Sequence, residues 1–298
     1  MQINGVEIQD TFAEAFPMTA TRLIITAADR FWARRAAESM TGFATSVIGC
    51  GCEAGIEKEL DPSQTPDGRP GIAVLIFSVS GKELEKQVVR RVGQCVLTCP
   101  STSVFAGMQG EKKVALGSHL RYFGDGFQLS KVIGDRRYWR IPVMDGEFVC
   151  EESTARCKAV GGGNFLVLSE SLSGALKACE SAMHAMRQIP NVIMPFPGGV
   201  ARSGSKVGSK YKSLNASTND AYCPTLRTVT TSLLPVGVTA ALEVVIDGLT
   251  QSDVERAMRV GILAACEVGE RHGLRAIAGG NYGGKLGPYH FHLHEILG

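Results

Sequence analysis

The stretch from Ser80 to Cys99, SGKELEKQVVRRVGQCVLTC, decides how the rest of the chain is read. Leu84, Val88, Val92, Cys95 and Cys99 recur at the spacing of one helix face, and Ser80 with Glu83 has the form of a capping box at its start. The spacing predicts a helix from about Lys82 to Cys99. Gly71 to Val79 before it and Thr102 to Ala106 after it are apolar runs that read as strands. Farther upstream, Thr21 to Ala27 predicts a strand, Arg30 to Met40 a helix, and Thr45 to Cys50 another strand. The resulting order is β-α-β-β-α-β.

That order returns in the second half. Asn164 to Leu168 is strand-like, and Leu172, Ala175, Leu176, Cys179, Ala182, Met183 and Met186 trace one helix face. Asn191 to Phe196 predicts a short strand before a long Gly- and Ser-rich loop. Thr239 to Ile246 predicts a strand ended by Asp247-Gly248. Ser252 and Glu255 predict the cap of a helix carrying Val254, Ala257, Met258, Ala265 and Val268, which Gly273 ends, and Leu274 to Ala278 closes the set. Between the repeats, Leu120 to Val149 alternates around turn glycines Gly124, Gly126 and Gly134 and reads as an added β-ribbon. The expected fold is therefore α+β, with two ferredoxin-like split β-α-β lobes, each a sheet with helices on one face. Residues 1–146 form the first lobe with its inserted ribbon, and 147–298 the second. One continuous mixed sheet is the alternative. A sheet face without helices exposes apolar strands to water, so association into a homo-oligomer is expected.

Bulk composition narrows the function. Of 298 residues 44% are hydrophobic and 20% charged, the balance of a globular chain, and the net charge is only +2. Nucleic acid and membrane surfaces demand a concentrated basic face, which this balance does not predict. No apolar run reaches the length of a membrane span, and Met1 to Asp10 lacks the pattern of a secretory signal. Nine cysteines at irregular spacing do not resemble a disulfide framework, so a reducing cytoplasm is the expected location.

Several stretches carry residue types suited to chemistry. Pro195-Phe196-Pro197-Gly198-Gly199 is followed by Gly204-Ser205-Lys206 and Gly208-Ser209-Lys210. Glycines let backbone amides approach an anion, hydroxyls donate hydrogen bonds and lysines supply charge. Gly199 and Gly204 have the separation of a nucleotide P-loop, but Ser205 stands where that motif requires lysine. A small anionic ligand and a plain flexible loop both fit.

Glu243 lies inside the run Ala240-Ala241-Leu242-Glu243-Val244-Val245-Ile246. Burial there raises a carboxyl towards neutrality, where acid–base catalysis is most effective. A solvated or salt-bridged outer-face glutamate fits the pattern equally. His290, His292 and His294 share a face if the tail is a strand, and a His-x-His pair can hold a metal, although no carboxylate cluster completes the set. A surface or interface strand is the preferred reading. Cys95 and Cys99 lie on the helix stripe and read as core rather than ligands. Gly161-Gly162-Gly163 reads as a tight entry into the second lobe. The turn Thr65 to Gly71, with Arg69, and the loop Gly280-Asn281-Tyr282-Gly283-Gly284-Lys285 read as turns that can also approach a ligand.

Longer strings add a resemblance. Asn4-Gly5-Val6, Asp10 to Met18, Glu53 to Lys58, Thr65 to Gly71 and Gly93-Gln94-Cys95-Val96-Leu97-Thr98-Cys99-Pro100 resemble formylmethanofuran–tetrahydromethanopterin formyltransferases. So do Pro195 to Gly199, Ser203 to Lys210, Leu214 to Asn219, Val245 to Gly248 and Gly280 to Gly284, in order along the whole chain. The resemblance implies two ferredoxin-like lobes, dimers or tetramers, and formyl transfer from formylmethanofuran, or a methanofuran analogue, to N5 of tetrahydromethanopterin. The carriers are substrates; no metal, nucleotide or tightly bound cofactor is implied. The near-neutral charge resembles the bacterial form, a subunit of a formyltransferase/hydrolase complex, rather than strongly acidic archaeal members. The family's glutamate maps onto Glu243 as proton shuttle. Gln94, Gly198, Gly199, Ser205, Lys206, Lys210 and Asn281 are the expected carrier contacts, with the lysines for anionic tails. A non-catalytic methanofuran-binding scaffold subunit and a metal-dependent amide hydrolase using the C-terminal histidines are the competing readings.

Overall fold

The structure, a computed structural model, describes residues 1–285 and 287–298. Packing divides the chain into a central unit, Met18–Ala159, and a terminal unit in which Met1–Pro17 joins Val160–Gly298. This differs from the expected linear cut at Gly146. The cause is strand pairing near the start of the chain: Val6–Ile8 lies parallel to Leu274–Gly279 with Ile8 opposite Ile277, and residues 12–15 pair antiparallel with Tyr289–His292. Ladder hydrogen bonds join neighbours in space, whatever their separation along the chain.

In the central unit β1 (Phe12–Thr26, from Met18 onward), α1 (Arg30–Thr41), β2 (Glu53–Leu60), β3 (Gly71–Ser78), α2 (Gly81–Arg91) and β4 (Ser103–Ala106) follow the expected order. The sheet runs β2-β3-β1-β4 with every neighbour antiparallel, the arrangement of a split β-α-β unit. Gly146–Glu151 adds to β4 in parallel, and Arg136–Val143 and Leu129–Ile133 extend the sheet as the expected ribbon. The ribbon is shorter than predicted, because Gly117–Leu120 and Arg121–Gly124 are helical turns. Ala33, Ala37 and Met40 of α1 and Leu84 and Val88 of α2 bury against Leu23, Ile25, Val74 and Ile76 of the sheet.

Two local expectations change. Residues 45–50 are not a strand: the Ser46 side chain accepts from Ile48 N–H, a short helix Val47–Cys50 follows, and Gly51 at φ 77° stops it. The strand forms later, as β2. The helix predicted through Cys99 is α-helical only to Arg91, and Val92–Val96 form a π turn closed by Leu97 N–H to Val92 O at 2.9 Å. One extra residue in that turn rotates the buried stripe from Cys95 to Val96, leaving Cys95 and Cys99 half-buried. Ser80 caps as expected, accepting from Glu83 N–H at 3.2 Å, while the Glu83 carboxylate reaches Lys86 and Gln87 instead of the cap backbone.

The terminal unit repeats the plan with β5 (Phe165–Ser169), α3 (Leu172–Met186), β6 (Val200–Ala201), β7 (Ala240–Val244), α4 (Gln251–Val268) and β8 (Leu274–Gly279). These strands run in the order β8-β5-β7-β6 with antiparallel neighbours, and Val6–Ile8 extends the sheet beyond β8 in parallel. The position expected for a strand at 191–196 is taken by β6. Val192–Ile193 pairs instead with Asp247–Gly248, which also pairs with Val160 and Gly161, so Asp247-Gly248 is a strand rather than a stop. The α4 cap sits two residues before the expected one: Thr250 Oγ1 accepts from Asp253 N–H at 3.1 Å. Helices α3 and α4 pack through small residues, Ala175, Ala178 and Ala182 against Ala257 and Ala265, over Phe165, Val167, Leu242 and Val244.

The other face of this sheet is not bare. Leu166, Leu168, Ala276 and Ala278 are covered by Tyr222, Leu234 and Val238 from residues 202–239. The long loop therefore has a packing role, and it is built as one. Ser205–Val207 and Ala216–Thr218 form a hairpin, and the Arg227 guanidinium donates to the carbonyls of Leu234, Pro235 and Val238.

Glycine positions separate packing from openness. A Cβ on Gly199 falls 2.0 Å from Met183 Sδ at a backbone φ of 88°, whereas one on Gly198 at φ 68° meets nothing within 4 Å. Gly199→Ala is therefore expected to lower stability by more than about 2 kcal/mol, the sum of overpacking and left-handed strain, and Gly198→Ala by about 1 kcal/mol. Equal urea midpoints for the two variants would contradict this assignment.

Candidate active site

A carboxylate is placed at the middle of the terminal sheet by its register. Glu243 on β7 stands opposite Leu166 of β5 and Ala201 of β6, on the face that residues 202–239 cover. Only 9% of the residue is exposed. Burial pushes its carboxyl above the ordinary carboxylate range, and one hydrogen bond opposes that push: Asn164 Nδ2 donates to Oε1 at 2.9 Å. Leu166, Ala201, Arg202, Ser203, Gly204, Asn219, Tyr222, Cys223 and Ala241 are among the residues that line a cavity of ≈ 30 Å³ onto which Glu243 opens. That is space for about one water-sized group. Burial also raises the Tyr222 hydroxyl. A carboxyl raised by burial beside a small cavity is suited to taking a proton from one atom and returning it to another.

A second buried carboxylate organises the loop beside it. Glu14, on β1, has no exposure. Its Oε2 accepts from the backbone N–H of Tyr282 and Gly284, both at 2.9 Å, and its Oε1 accepts from Gly287 N–H at 2.7 Å. Charge-assisted bonds of this kind hold irregular backbone in one shape. Gly280 opens that loop: its N–H donates to Asn164 O at 2.9 Å, and its carbonyl accepts from Glu14 N–H at 3.0 Å. A Cβ at Gly280 falls 3.3 Å from Glu243 Oε1, so only glycine lets the loop approach this closely.

The other expected contacts are scattered. Asn281 follows Gly280, but its amide is spent within the loop, donating to Phe12 O at 3.2 Å and accepting from Gly283 N–H at 3.3 Å. Ser205 and Lys206 are exposed on the hairpin that starts beside the cavity residue Gly204, and Lys206 Nζ is ion-paired to Asp220 Oδ1 at 2.6 Å. Lys210 is exposed between the hairpin strands. Gly198 is exposed, and Gly199 packs on α3. Gln94 is exposed in the π turn of the central unit, a separate body from the one that carries Glu243. Arg69 is tied into its own turn, bonded to Asp67, Thr26, Ser101 and Ser103.

The histidine reading changes in part. His290 and His292 lie on a strand, with rings 4.8 and 5.3 Å from the Phe12 ring, but His294 belongs to the helix Leu293–Leu297 and its Nε2 lies 2.8 Å from Ile8 O. Among the described residues no three His, Cys, Asp or Glu side chains gather as a metal site.

Sequence reasoning missed Asn164, Arg202 and Tyr222 as neighbours of Glu243. It also passed over Glu14 as an organiser, although Phe12-Ala13-Glu14-Ala15-Phe16 shows the same signal as Glu243, an acid within an apolar strand.

Comparison with known proteins places these features in a family. Residues 1–143 match the model described as formylmethanofuran-tetrahydromethanopterin formyltransferase, and residues 146–296 match its proximal-lobe model. The chain is 64% identical over 297 residues to the formylmethanofuran–tetrahydromethanopterin formyltransferase of Methylococcus capsulatus, covering 100% of both. It superimposes with a TM-score of 0.97 and 52% identity on a chain of the Methylorubrum extorquens formyltransferase/hydrolase complex solved with methylofuran, covering 100% of this chain and 99% of that one. Against the Methanosarcina barkeri formyltransferase the TM-score is 0.93 at 46% identity, over 99% and 100% of the two chains.

Two stability measurements test the carboxylates. Glu14→Ala leaves three loop N–H groups without their acceptor and is expected to cost more than about 3 kcal/mol, with faster amide exchange at Tyr282, Gly284 and Gly287. Unchanged exchange at those amides would refute the pinning role. For Glu243 the sign follows from its raised titration: the acid form is favoured in the fold, so its contribution is intact below the ordinary value of 4.5 and is lost as pH climbs through the raised one. Glu243→Gln should therefore gain stability relative to the parent as pH rises from 4 to 8, read as the difference between urea midpoints. A flat difference would mean the carboxyl is not desolvated.

Proposed function

The chain belongs to the formylmethanofuran–tetrahydromethanopterin formyltransferase family, and from that premise we propose how its own residues carry out formyl transfer. The reaction moves a formyl group between formylmethanofuran, or a methanofuran analogue, and N5 of tetrahydromethanopterin. The observation that carries the reading is a buried carboxyl, Glu243, opening onto a small cavity beneath a glycine-opened loop.

The donor is a formamide whose resonance makes the carbon a poor electrophile. The pterin nitrogen N5 attacks that carbon, the carbonyl π bond opens, and a tetrahedral oxyanion forms. Ionised Glu243 takes the N5 proton as the new C–N bond develops. It returns that proton to the methanofuran nitrogen as the old C–N bond breaks, so charge and protons balance and the carboxylate is regenerated. Burial helps because a carboxyl near neutrality is both an adequate base and an adequate acid. Holding two large carriers in near-attack geometry supplies much of the remaining acceleration.

Lys206 and Lys210, on the exposed hairpin, are suited to anionic carrier tails, and Gly198, Ser205 and Asn281 offer backbone or side-chain groups to the same ligands. Gly199 would act through its backbone only, since its Cα side is packed on Met183. Gln94, exposed in the π turn, is the proposed carrier contact of the central unit. Glu243 is the catalytic group.

Assembly follows the same reasoning. A dimer or tetramer, or incorporation beside hydrolase subunits, is supported by large exposed apolar side chains on the central unit, among them Phe43 at 82%, Phe127 at 78% and Met144 at 106%. The similarity to a chain of the Methylorubrum complex favours the second arrangement, and the higher identity to the Methylococcus protein than to the Methanosarcina one suits the bacterial form of the family. Cytoplasmic residence is supported by nine cysteines that are all free thiols.

Formyl exchange assayed with the purified chain alone tests the proposal. Active transfer that falls by about 10²- to 10⁴-fold in Glu243→Gln is the expected outcome for loss of a proton shuttle. Carrier binding without exchange in the unaltered chain would favour a scaffold role instead.

A further inference from the structure

On the reading of Glu243 given above, we propose that Asn164 is a positioning residue whose side-chain amide donates to Oε1 in both protonation states of Glu243, leaving Oε2 to take up and release the proton. Asn164 Nδ2 donates to Oε1 at 2.9 Å, the arrangement that suits a carboxylate acceptor. With the proton on Oε2 the acid form keeps Oε1 as its carbonyl oxygen, which still accepts from the same amide, though less strongly than the anion does. Here Oδ1 is buried and has no hydrogen-bond partner among the described residues. Among the described residues the amide side chain is therefore bonded to Glu243 alone, and no second partner draws Nδ2 away from Oε1.

The backbone that carries the amide is fixed as well. Asn164 O accepts from Gly280 N–H at 2.9 Å, and Asn164 N–H donates to Gly162 O at 2.8 Å. A Cβ at Gly280 falls 2.9 Å from Asn164 Cβ and 3.3 Å from Glu243 Oε1, so the two side chains meet beneath the start of the loop that Glu14 pins. Asn164 is 5% exposed, and bulk water has little access to compete for Oε1. No hydrogen bond from the described residues reaches Glu243 Oε2, and that atom is not among the buried atoms lacking partners, so it is the oxygen open to the cavity.

Other ionisable groups near the cavity do not replace this contact. Its lining holds Arg202, Tyr222 and Cys223. Neighbouring strands bring Leu166 and Ala201 opposite Glu243, and the loop brings Gly280. Asn164 is the one side chain that bonds the carboxyl among the described residues, and its hydrogen bond opposes the upward push of burial. An amide that bonds Oε1 throughout keeps Glu243 in one rotamer through both halves of the reaction. The carboxyl then needs no reorientation between accepting and returning the proton.

The test uses the full chain, the formyl-exchange assay and two readouts. The pH profile of kcat/KM is measured for the parent, Asn164→Leu, Asn164→Asp and Glu243→Gln. The infrared carboxyl band that Glu243→Gln lacks is titrated in parallel, which keeps the test decisive if a variant is too slow to assay. Leucine has a similar shape but can neither donate nor accept, so the Glu243 limb and the band should both move up by about one pH unit, and aspartate, a like charge, should move them farther. The direction is the same whether the limb reports the base or the acid. A limb and band that titrate in Asn164→Leu where they do in the parent would overturn the role of Asn164 while leaving Glu243 intact. Full turnover in Glu243→Gln would remove the reading on which it rests.

Discussion

A carboxyl in the middle of an apolar sheet face is expensive to ionise, and the rest of the candidate site is arranged around that cost. Among the described residues no cation bonds Glu243 and only the Asn164 amide does, so its charge is neither cancelled nor well solvated. An ion pair there would have held the carboxyl in its ionised form and made it a poor carrier of protons. One neutral hydrogen bond and a cavity large enough for a water-sized group leave it able to exist in either state.

Two further constraints keep the site in that condition. Residues 202–239 cover the sheet face that the helices leave, with Tyr222, Leu234 and Val238 laid on Leu166, Leu168, Ala276 and Ala278. Without that cover, water would solvate Glu243 and return it to ordinary behaviour. On the other side, Glu14 gathers three N–H groups of the loop after β8 and so fixes Gly280 against the Asn164–Glu243 pair. The two glutamates are thus used in opposite ways. Glu14 is surrounded by backbone donors and anchors a loop, whereas the Glu243 carboxyl is pushed up by burial and has one hydrogen bond from the described residues to oppose that push.

The same segment that shields the carboxyl also carries an exposed polar hairpin. Its hairpin carries Ser205, Lys206 and Lys210 on the exposed side while its later part packs inward. Lys206 is already paired with Asp220, so an anionic carrier tail has to compete with that ion pair or share the lysine. Surface ion pairs of this kind are weak, and the exchange is inexpensive.

Much of the fold was legible in the sequence because apolar periodicity reports which face of an element meets the core. Leu84, Val88 and Val92, and Ala175 through Met186, marked their helices, and the twofold β-α-β-β-α-β order follows from such local signals. Glu243 was visible for the same reason, as an acid interrupting an apolar strand. What the pattern could not carry was pairing between distant segments. The joining of residues 1–17 to the C-terminal half, the substitution of β6 for the strand expected at 191–196, and the meeting of Asn164, Gly280 and Glu243 all depend on backbone bonds and contacts between residues far apart in the chain. Likewise the one-residue π turn that exchanged Val96 for Cys95 was settled by packing, since α and π spacing differ by less than the pattern resolves. The sequence by itself determined the elements, their order and the acid at the centre. Only the tertiary structure decided whether that acid is dry, what bonds it and which loop lies against it, because desolvation and hydrogen bonding belong to the neighbours in space.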